Sequence, residues 1–345
     1  GVLARVIARV NASGCDVLAV DLPSGIDATS GAVLGNAIQA DMTVSFACKK
    51  RGHLLMPGLE YCGEVVVCDI GIDVANAAQP IYENDPELWA HAFLWPNRST
   101  HKYQRGHVAV VAGNEAVGAS RLAALAALRA GAGLSSILCE PQRWDVYAAM
   151  VLSLMVKPMD EGLDPFLADE RINAYVIGPG AGVHVKTRQR VLAMIKAHKK
   201  AVLDADALRV FGETPSLLFG GIAAPTVLTP HEGEFSFLFA NTAVDRTSDK
   251  MTRVMKAAEI AGAVVVLKGA DTVIAAPDGR AAINGNAPPW LATAGTGDVL
   301  AGTIAGFLAQ GMDAFDAACA GVWFHGDAAQ RAGDRRIHVR RVFEY

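Results

Sequence analysis

Short apolar runs that stop at polar and glycine residues recur along this chain, and they predict its elements before any composition is counted. Residues 1–12 carry a helical period. Val17-Leu18-Ala19-Val20 reads as a short buried strand ending at Asp21 and the turn Pro23-Ser24-Gly25. Further strands are predicted at 42–46 and 63–70. Between about 74 and 100 the pattern dissolves into Asn, Gln, Pro and Trp without a period, which marks a domain boundary. Beyond it a strand at 107–112 turns at Gly113-Asn114 into an Ala/Leu-rich helix at 119–130. Strands follow at 134–139, 175–177, 201–203, 226–228, 263–267 and 272–276, with helices at 187–198 and from near Gly297 to 309. Strands alternating with helices predict a layered α/β sheet, whose functional edge is the one where parallel strands end.

Composition narrows the class without changing the elements. The 345 residues are 52% hydrophobic and 19% charged, enough apolar material for a large core and too long for one average domain. A net charge of −4 gives no reason to expect nucleic acid or an anionic membrane as partner. No run is long enough for a membrane helix. Cys15, Cys48, Cys62, Cys68, Cys139 and Cys319 show no CxxC spacing, so they are expected to be small buried hydrophobes in the cytoplasm, as Cys68 would be in Val65-Val66-Val67-Cys68. Because the chain opens at Gly1 inside a helical pattern, it is expected to be a fragment.

Four segments carry candidate chemistry. In Ala294-Gly295-Thr296-Gly297-Asp298-Val299-Leu300-Ala301-Gly302, glycines lead straight into an apolar helix, so unpaired N–H groups converge where a phosphate could sit. Asp298 is then either a catalytic base or an ordinary capping acid. Val264-Val265-Val266-Leu267-Lys268-Gly269-Ala270-Asp271-Thr272 delivers a Lys at a strand end, either for a nucleotide phosphate or as a solvated hairpin residue. Thr229-Pro230-His231-Glu232-Gly233-Glu234 clusters polar groups at another strand end, as a substrate rim would. Ile177-Gly178-Pro179-Gly180-Ala181-Gly182 is a Gly-rich strand exit, a pattern that any tight turn can carry.

Taken together, in this order and spacing, these segments resemble the ADP/ATP-dependent NAD(P)H-hydrate dehydratases, a branch of the ribokinase-like fold. His101-Lys102-Tyr103-Gln104-Arg105-Gly106, the Gly118-Ala119 before the helix ending Ala127 to Gly133, and Leu203-Asp204-Ala205-Asp206-Ala207-Leu208 match as well, over roughly residues 101–330. The resemblance implies that Lys268, Gly269, Ala270, Asp271, Thr272 and Gly297 contact the nucleotide. It implies that Ala119, Gly182, His231 and Asp298 line the site for the hydrated nicotinamide, with Asp298 as base and Mg²⁺ on the phosphates. Asn114-Glu115-Ala116-Val117 replaces the family's more usual Ser/Tyr-containing loop.

The front resembles the second half of NAD(P)H-hydrate epimerase, through Val20 to Asp27, Lys50-Arg51-Gly52-His53 with Pro57-Gly58, and Asp69 to Ile72. By that likeness Asp21 contacts the hydrate and Ser24 a potassium ion. The epimerase's Asn-Asn-Gly-Gly-Asp loop and its later Gly-rich loop are missing, so epimerase activity is expected to be lost. The tail from Arg335 to Tyr345 is short, basic and unlike the family; it is expected to be truncation or altered sequence rather than a nucleic-acid patch.

The expected architecture is therefore a ribokinase-like layered α/β domain at 101–345, a linker at 81–100, and a partial Rossmann-like α/β domain at 1–80. The expected function is nucleotide-dependent dehydration of the S-hydrate back to NADH or NADPH, in a homo-oligomer. ADP is expected over ATP as the donor. The rivals are a plain kinase of a vitamin-precursor alcohol and a catalytically dead fragment.

Overall fold

Runs of Val, Ile, Leu and Ala too apolar for any sheet with a wet face dictate a sheet covered on both sides. In the computed structural model, which describes residues 1–73, 81–149 and 152–333, that sheet is the core of the larger of two compact units. The smaller unit holds residues 1–83 with 246–253, and the larger holds 84–245 with 254–345.

In the larger unit the strands are β4 (His107–Val111), β5 (Leu134–Cys139), β6 (Met155–Pro158), β7 (Ala174–Ile177), β8 (Ala201–Leu203), β9 (Thr226–Leu228), β10 (Val264–Leu267), β11 (Thr272–Ala275) and β12 (Ala281–Asn284). They lie side by side in the order β12-β11-β10-β9-β8-β7-β4-β5-β6. From β10 through β6 every neighbouring pair is parallel, while β10-β11-β12 is an antiparallel meander. The chain leaves β4 toward β5 and β6, then returns to β7 on the other side of β4. The loops after β4 and β7 therefore diverge at a topological switch point, where open α/β sheets form their crevice.

The longer helices of this part of the chain are α3 (Val117–Arg129), α4 (Val185–Lys196), α5 (Glu232–Leu238), α6 (Lys250–Ala261), α7 (Thr296–Ala309) and α8 (Ala314–Gly333). Helix α7 is buried along nearly its whole length and lies against α3. The approach is close enough that a side chain at Gly302 would overlap the Ala123 carbonyl, and one at Gly306 would stand 2.8 Å from the Ala127 oxygen. Gly302 is thus a packing residue as much as part of the motif.

Several elements escape the sequence pattern. Strand β6 is a sheet edge, and its Met-Val-Lys-Pro sequence lacks a strand signature, with Pro tolerated only at such an edge. Strand β12 is built from small residues. Helix α8 is buried over most of its first half, so it carries no amphipathic stripe to read. The stretch expected as a linker contains helix α2 (Pro86–Trp89), capped by Asp85, and Trp89 is buried against the rings of Trp323 and Phe324. The basic tail lies outside the described residues.

In the smaller unit α1 (Val2–Asn11) precedes a parallel sheet of β1 (Leu18–Val20), β2 (Met42–Phe46) and β3 (Glu64–Cys68), with β2 in the centre. Here the cysteine expectation fails in part. Cys62, Cys139 and Cys319 are buried, but Cys15, Cys48 and Cys68 are exposed. The reason at Cys68 is its position on β3, an edge strand exposed at four of its five residues. No helix among the described residues is long and apolar enough to cross a membrane.

Candidate active site

Strand ends β8, β9 and β10 bring three of the sequence motifs to one point. Lys268 follows β10, and its backbone N–H donates to the Pro230 carbonyl at 2.9 Å, which aligns it beside His231. Its Nζ donates to Asp204 Oδ1 at 2.7 Å and lies 4.0 Å from Glu234 Oε2. Asp204 Oδ1 also accepts from Thr229 Oγ1 at 2.9 Å. Burial works against the charge of Lys268, but Asp204, Glu234 and Asp298 outweigh it and hold its pKa above the ordinary value. The side chain is 21% exposed, so Lys268 is no solvated hairpin residue.

The start of α7 faces this lysine. A side chain at Gly297 would stand 3.4 Å from Lys268 Nζ and 3.8 Å from Asp204 Oδ2. Gly295 is the N-cap with φ +94°, a conformation glycine adopts without a Cβ penalty, and no side chain caps the helix. The capping role considered for Asp298 is therefore not filled by any side chain. The first-turn N–H groups of α7 have no intrahelical acceptor and form an anion-binding end. Asp298 is half-buried; burial above all, with the Asp204 charge adding and Lys268 opposing, pushes its carboxyl up to about 6.

His231 caps α5. Its Nδ1 accepts from the amides of Gly233 at 3.0 Å and Glu234 at 3.2 Å, while Glu234 Oε2 accepts from the His231 amide at 2.9 Å. These bonds leave the hydrogen on Nε2, which faces Glu234 Oε1 at 3.4 Å. In the 269–272 turn, Thr272 Oγ1 donates to the Gly269 carbonyl at 2.8 Å and accepts from its amide at 3.2 Å. Ala270 at the tip is exposed, and Asp271 and Thr272 are buried.

Ala119 and Gly182 belong to a second cluster at the switch point. A side chain at Gly113 would overlap the Gly180 carbonyl, so the loops after β4 and β7 touch backbone to backbone. Ser120, next to Ala119, donates to the Pro179 carbonyl at 3.1 Å. Gly182 N–H donates to Asp206 Oδ2 at 2.9 Å, and the Gly182 carbonyl accepts from Thr187 Oγ1 at 2.8 Å. His184 and Glu115, 2.9 Å apart, lie over Gly182. Asp204 and Asp206 are two residues apart on one turn, so each cluster borrows a carboxylate from it.

At this site Asp204, Asp206 and Glu234 lie in the sequence motifs without an assigned role, and His325 lies outside them. The first two were legible as acids at a strand end, and Glu234 as the third residue after a cap. His325, on α8, had no local signal. Burial and the Lys268 charge draw its imidazole down to about 4, against a hydrogen bond at the Thr296 backbone.

Asp21 and Ser24 lie in the smaller unit. Asp21 has φ +66° and an ion pair with Lys50, whose hydrogen bond is the main reason its carboxyl sits below the ordinary range. Buried His53 accepts the Lys50 amide on Nδ1 at 2.8 Å and donates from Nε2 to the Asp21 carbonyl at 2.7 Å. Ser24 is exposed, and its carbonyl accepts the Ile38 amide at 2.9 Å.

The NAD(P)H-hydrate dehydratase family model matches residues 108–341, and the model for the YjeF-related protein N-terminus matches residues 1–52. The bifunctional NAD(P)H-hydrate repair enzyme Nnr of Moorella thermoacetica is 37% identical over 97% of this chain and 66% of its own length. That of Coxiella burnetii is 34% identical over 99% of this chain and 70% of its own length. The chain thus spans about two thirds of the length of the curated relatives it matches. Among solved structures, the ADP/ATP-dependent NAD(P)H-hydrate dehydratase of Bacillus subtilis, co-crystallised with ATP and Mg²⁺, has a TM-score of 0.64 at 27% identity. The alignment covers 75% of this chain and 91% of that one. A ribokinase-like superfamily protein of Enterococcus faecalis shares the fold with the same TM-score at 23% identity.

Proposed function

The chain belongs to the NAD(P)H-hydrate dehydratase family, and from that premise we propose that it restores hydrated NAD(P)H by nucleotide-dependent dehydration. The observation that carries the reading is Asp298 at the open end of α7, facing Lys268 across Gly297. A carboxyl with its pKa near 6 is mostly ionised at neutral pH yet basic enough to accept a proton during transfer, which suits a general base.

Asp298 takes the proton of the C6 hydroxyl as that oxygen attacks the terminal phosphoryl group of ADP or ATP, and AMP or ADP leaves as the bridging P–O bond breaks. Lys268 and the amides at the start of α7 hold the transferring charge in a partly buried setting, where such stabilisation is strongest. The hydroxyl has become a phosphate ester, a better leaving group than water. The ring nitrogen lone pair then expels phosphate and restores the reduced nicotinamide after loss of a ring proton. Ala119, Gly182 and His231 line the hydrate side, and Gly269, Ala270, Asp271 and Thr272 the nucleotide side.

Mg²⁺ fits this chain only as a companion of the nucleotide. Among the described residues no group of three or more His, Cys, Asp and Glu could hold a metal, and Asp204 is already bonded to Lys268 and Thr229. Such an ion is held largely by phosphates and water, so no protein cage is needed. For potassium, Ser24 by itself supplies one exposed hydroxyl. The test is incubation of the chain with S-NADH hydrate, Mg²⁺ and ADP or ATP, following recovery of the reduced-nicotinamide absorbance. Recovery that requires nucleotide supports the reading, and phosphorylated hydrate accumulating without recovery would replace it with a plain kinase.

A further inference from the structure

The motif Leu203 to Leu208 has no assigned task in the reaction above, yet both of its acids are committed to the site. Asp204 follows β8 and is buried, with 2% of its surface exposed. Its Oδ1 holds Lys268 and Thr229, and its Oδ2 faces Gly297. Asp206, two residues on, accepts the Gly182 amide at 2.9 Å, so the loop after β7 is pinned from the same turn. Between them Ala205 adopts φ +47° and ψ −117°. An L-residue with a Cβ rarely takes that conformation, and it persists only where surrounding contacts over-determine it. The Asp204 and Asp206 contacts are such constraints, reaching toward the two separate clusters.

We propose that Asp204–Ala205–Asp206 is a single positioning element, in which Asp204 aims Lys268 at the nucleotide and Asp206 sets the Gly182 loop for the hydrate. The proposal rests on the dehydratase reading for which ligand lies on which side. Neither acid touches the reacting atoms; each acts through the group it holds. The Asp204 charge also acts on Asp298. Lys268 after β10 acts on that carboxyl as well, and Lys268 in turn interacts with Glu234 of α5 and with His325 of α8. Removing the Asp204 charge takes away one cause of the raised Asp298 pKa. It also leaves Lys268 free to draw that pKa down further, so both effects have the same sign.

The test compares Asp204→Asn and Asp206→Ala in the full chain. ADP affinity is read by calorimetry, hydrate KM by steady-state kinetics, and the acid limb of kcat/KM by a pH profile. Asp204→Asn is expected to weaken ADP by about tenfold or more, as loss of a charge-assisted hydrogen bond does, with hydrate KM little changed. Its acid limb moves to lower pH. Asp206→Ala is expected to raise hydrate KM by about tenfold, with ADP affinity and the limb unmoved. If both variants weaken both ligands alike and neither moves the limb, the turn is only structural and the proposal is wrong. Should Asp204→Asn fail to fold, Thr229→Val removes one bond from the same carboxylate without its charge. It is then expected to weaken ADP selectively, and equal loss of both ligands overturns the proposal. Failure of the dehydratase reading looks different: the parent chain itself would not restore NADH. In that case ADP calorimetry still decides, because undiminished ADP binding in Asp204→Asn removes the Lys268 arm of the proposal.

Discussion

Asp298 and Lys268 stand close enough to tune each other, and that makes their replacements informative in different ways. Asp298→Asn keeps the size of the side chain and removes the base. Turnover is expected to fall by about 10²-fold or more while ADP still binds, and near-normal turnover would end the catalytic assignment. In the parent chain, kcat/KM should decline as pH drops through about 6, because protonated Asp298 cannot accept the hydroxyl proton. A limb found well below that value would mean another group governs the step. Lys268→Ala should weaken ADP far more than a hydrate analogue. It also leaves buried Asp204 without its cationic partner, so some loss of thermal stability is expected alongside.

Helix α7 must bring Asp298 to the strand ends and also pack on α3, and Gly302 reconciles the two. A longer side chain there has nowhere to go, because the obstacle is the backbone carbonyl of Ala123 rather than a movable side chain. Gly302→Leu is expected to cost about 1–3 kcal/mol or more, as over-packing generally does, and to lower Tm. Turnover per folded molecule should fall with it, because Asp298 lies one turn along the displaced helix. A lower Tm with unchanged turnover would show that α7 does not position the base. Helix α8 escaped the pattern for a physical reason. Where a helix is buried on most sides, as α8 is over Ala314–Val322, its apolar residues carry no period that distinguishes it from a strand or a loop.

The larger unit draws two histidines well below the ordinary imidazole pKa, His107 at the start of β4 and His325 on α8. Burial first, and Lys157 second, put His107 at about 4, against 6.5 for an unconstrained imidazole. The unfolded chain therefore binds a proton between those values that the folded chain refuses, and stability falls as pH drops from 6.5 toward 4. Urea midpoints should decline over that window and decline less steeply in His107→Gln; equal slopes would refute the assignment. In the smaller unit the Asp21 side chain is 44% exposed and paired with Lys50, a setting too open to clamp a substrate. The 345-residue chain given R-hydrate, ADP and Mg²⁺ should consume it no faster than spontaneous conversion to the S form allows. Faster consumption abolished by Asp21→Ala would reveal an active epimerase. The layered α/β class, the strands from 107 to 111 and 264 to 267, and the Gly-rich start of α7 were determined by the sequence itself, because local apolar pattern and turn chemistry are enough to specify them. Tertiary structure alone decided that Lys268 is ion-paired rather than solvated, that Asp204 joins it to Thr229, and that His325 faces Thr296. The contacting residues are 25 to 64 positions apart in the chain, and only the packing of strands and helices, which no local pattern encodes, brings them together.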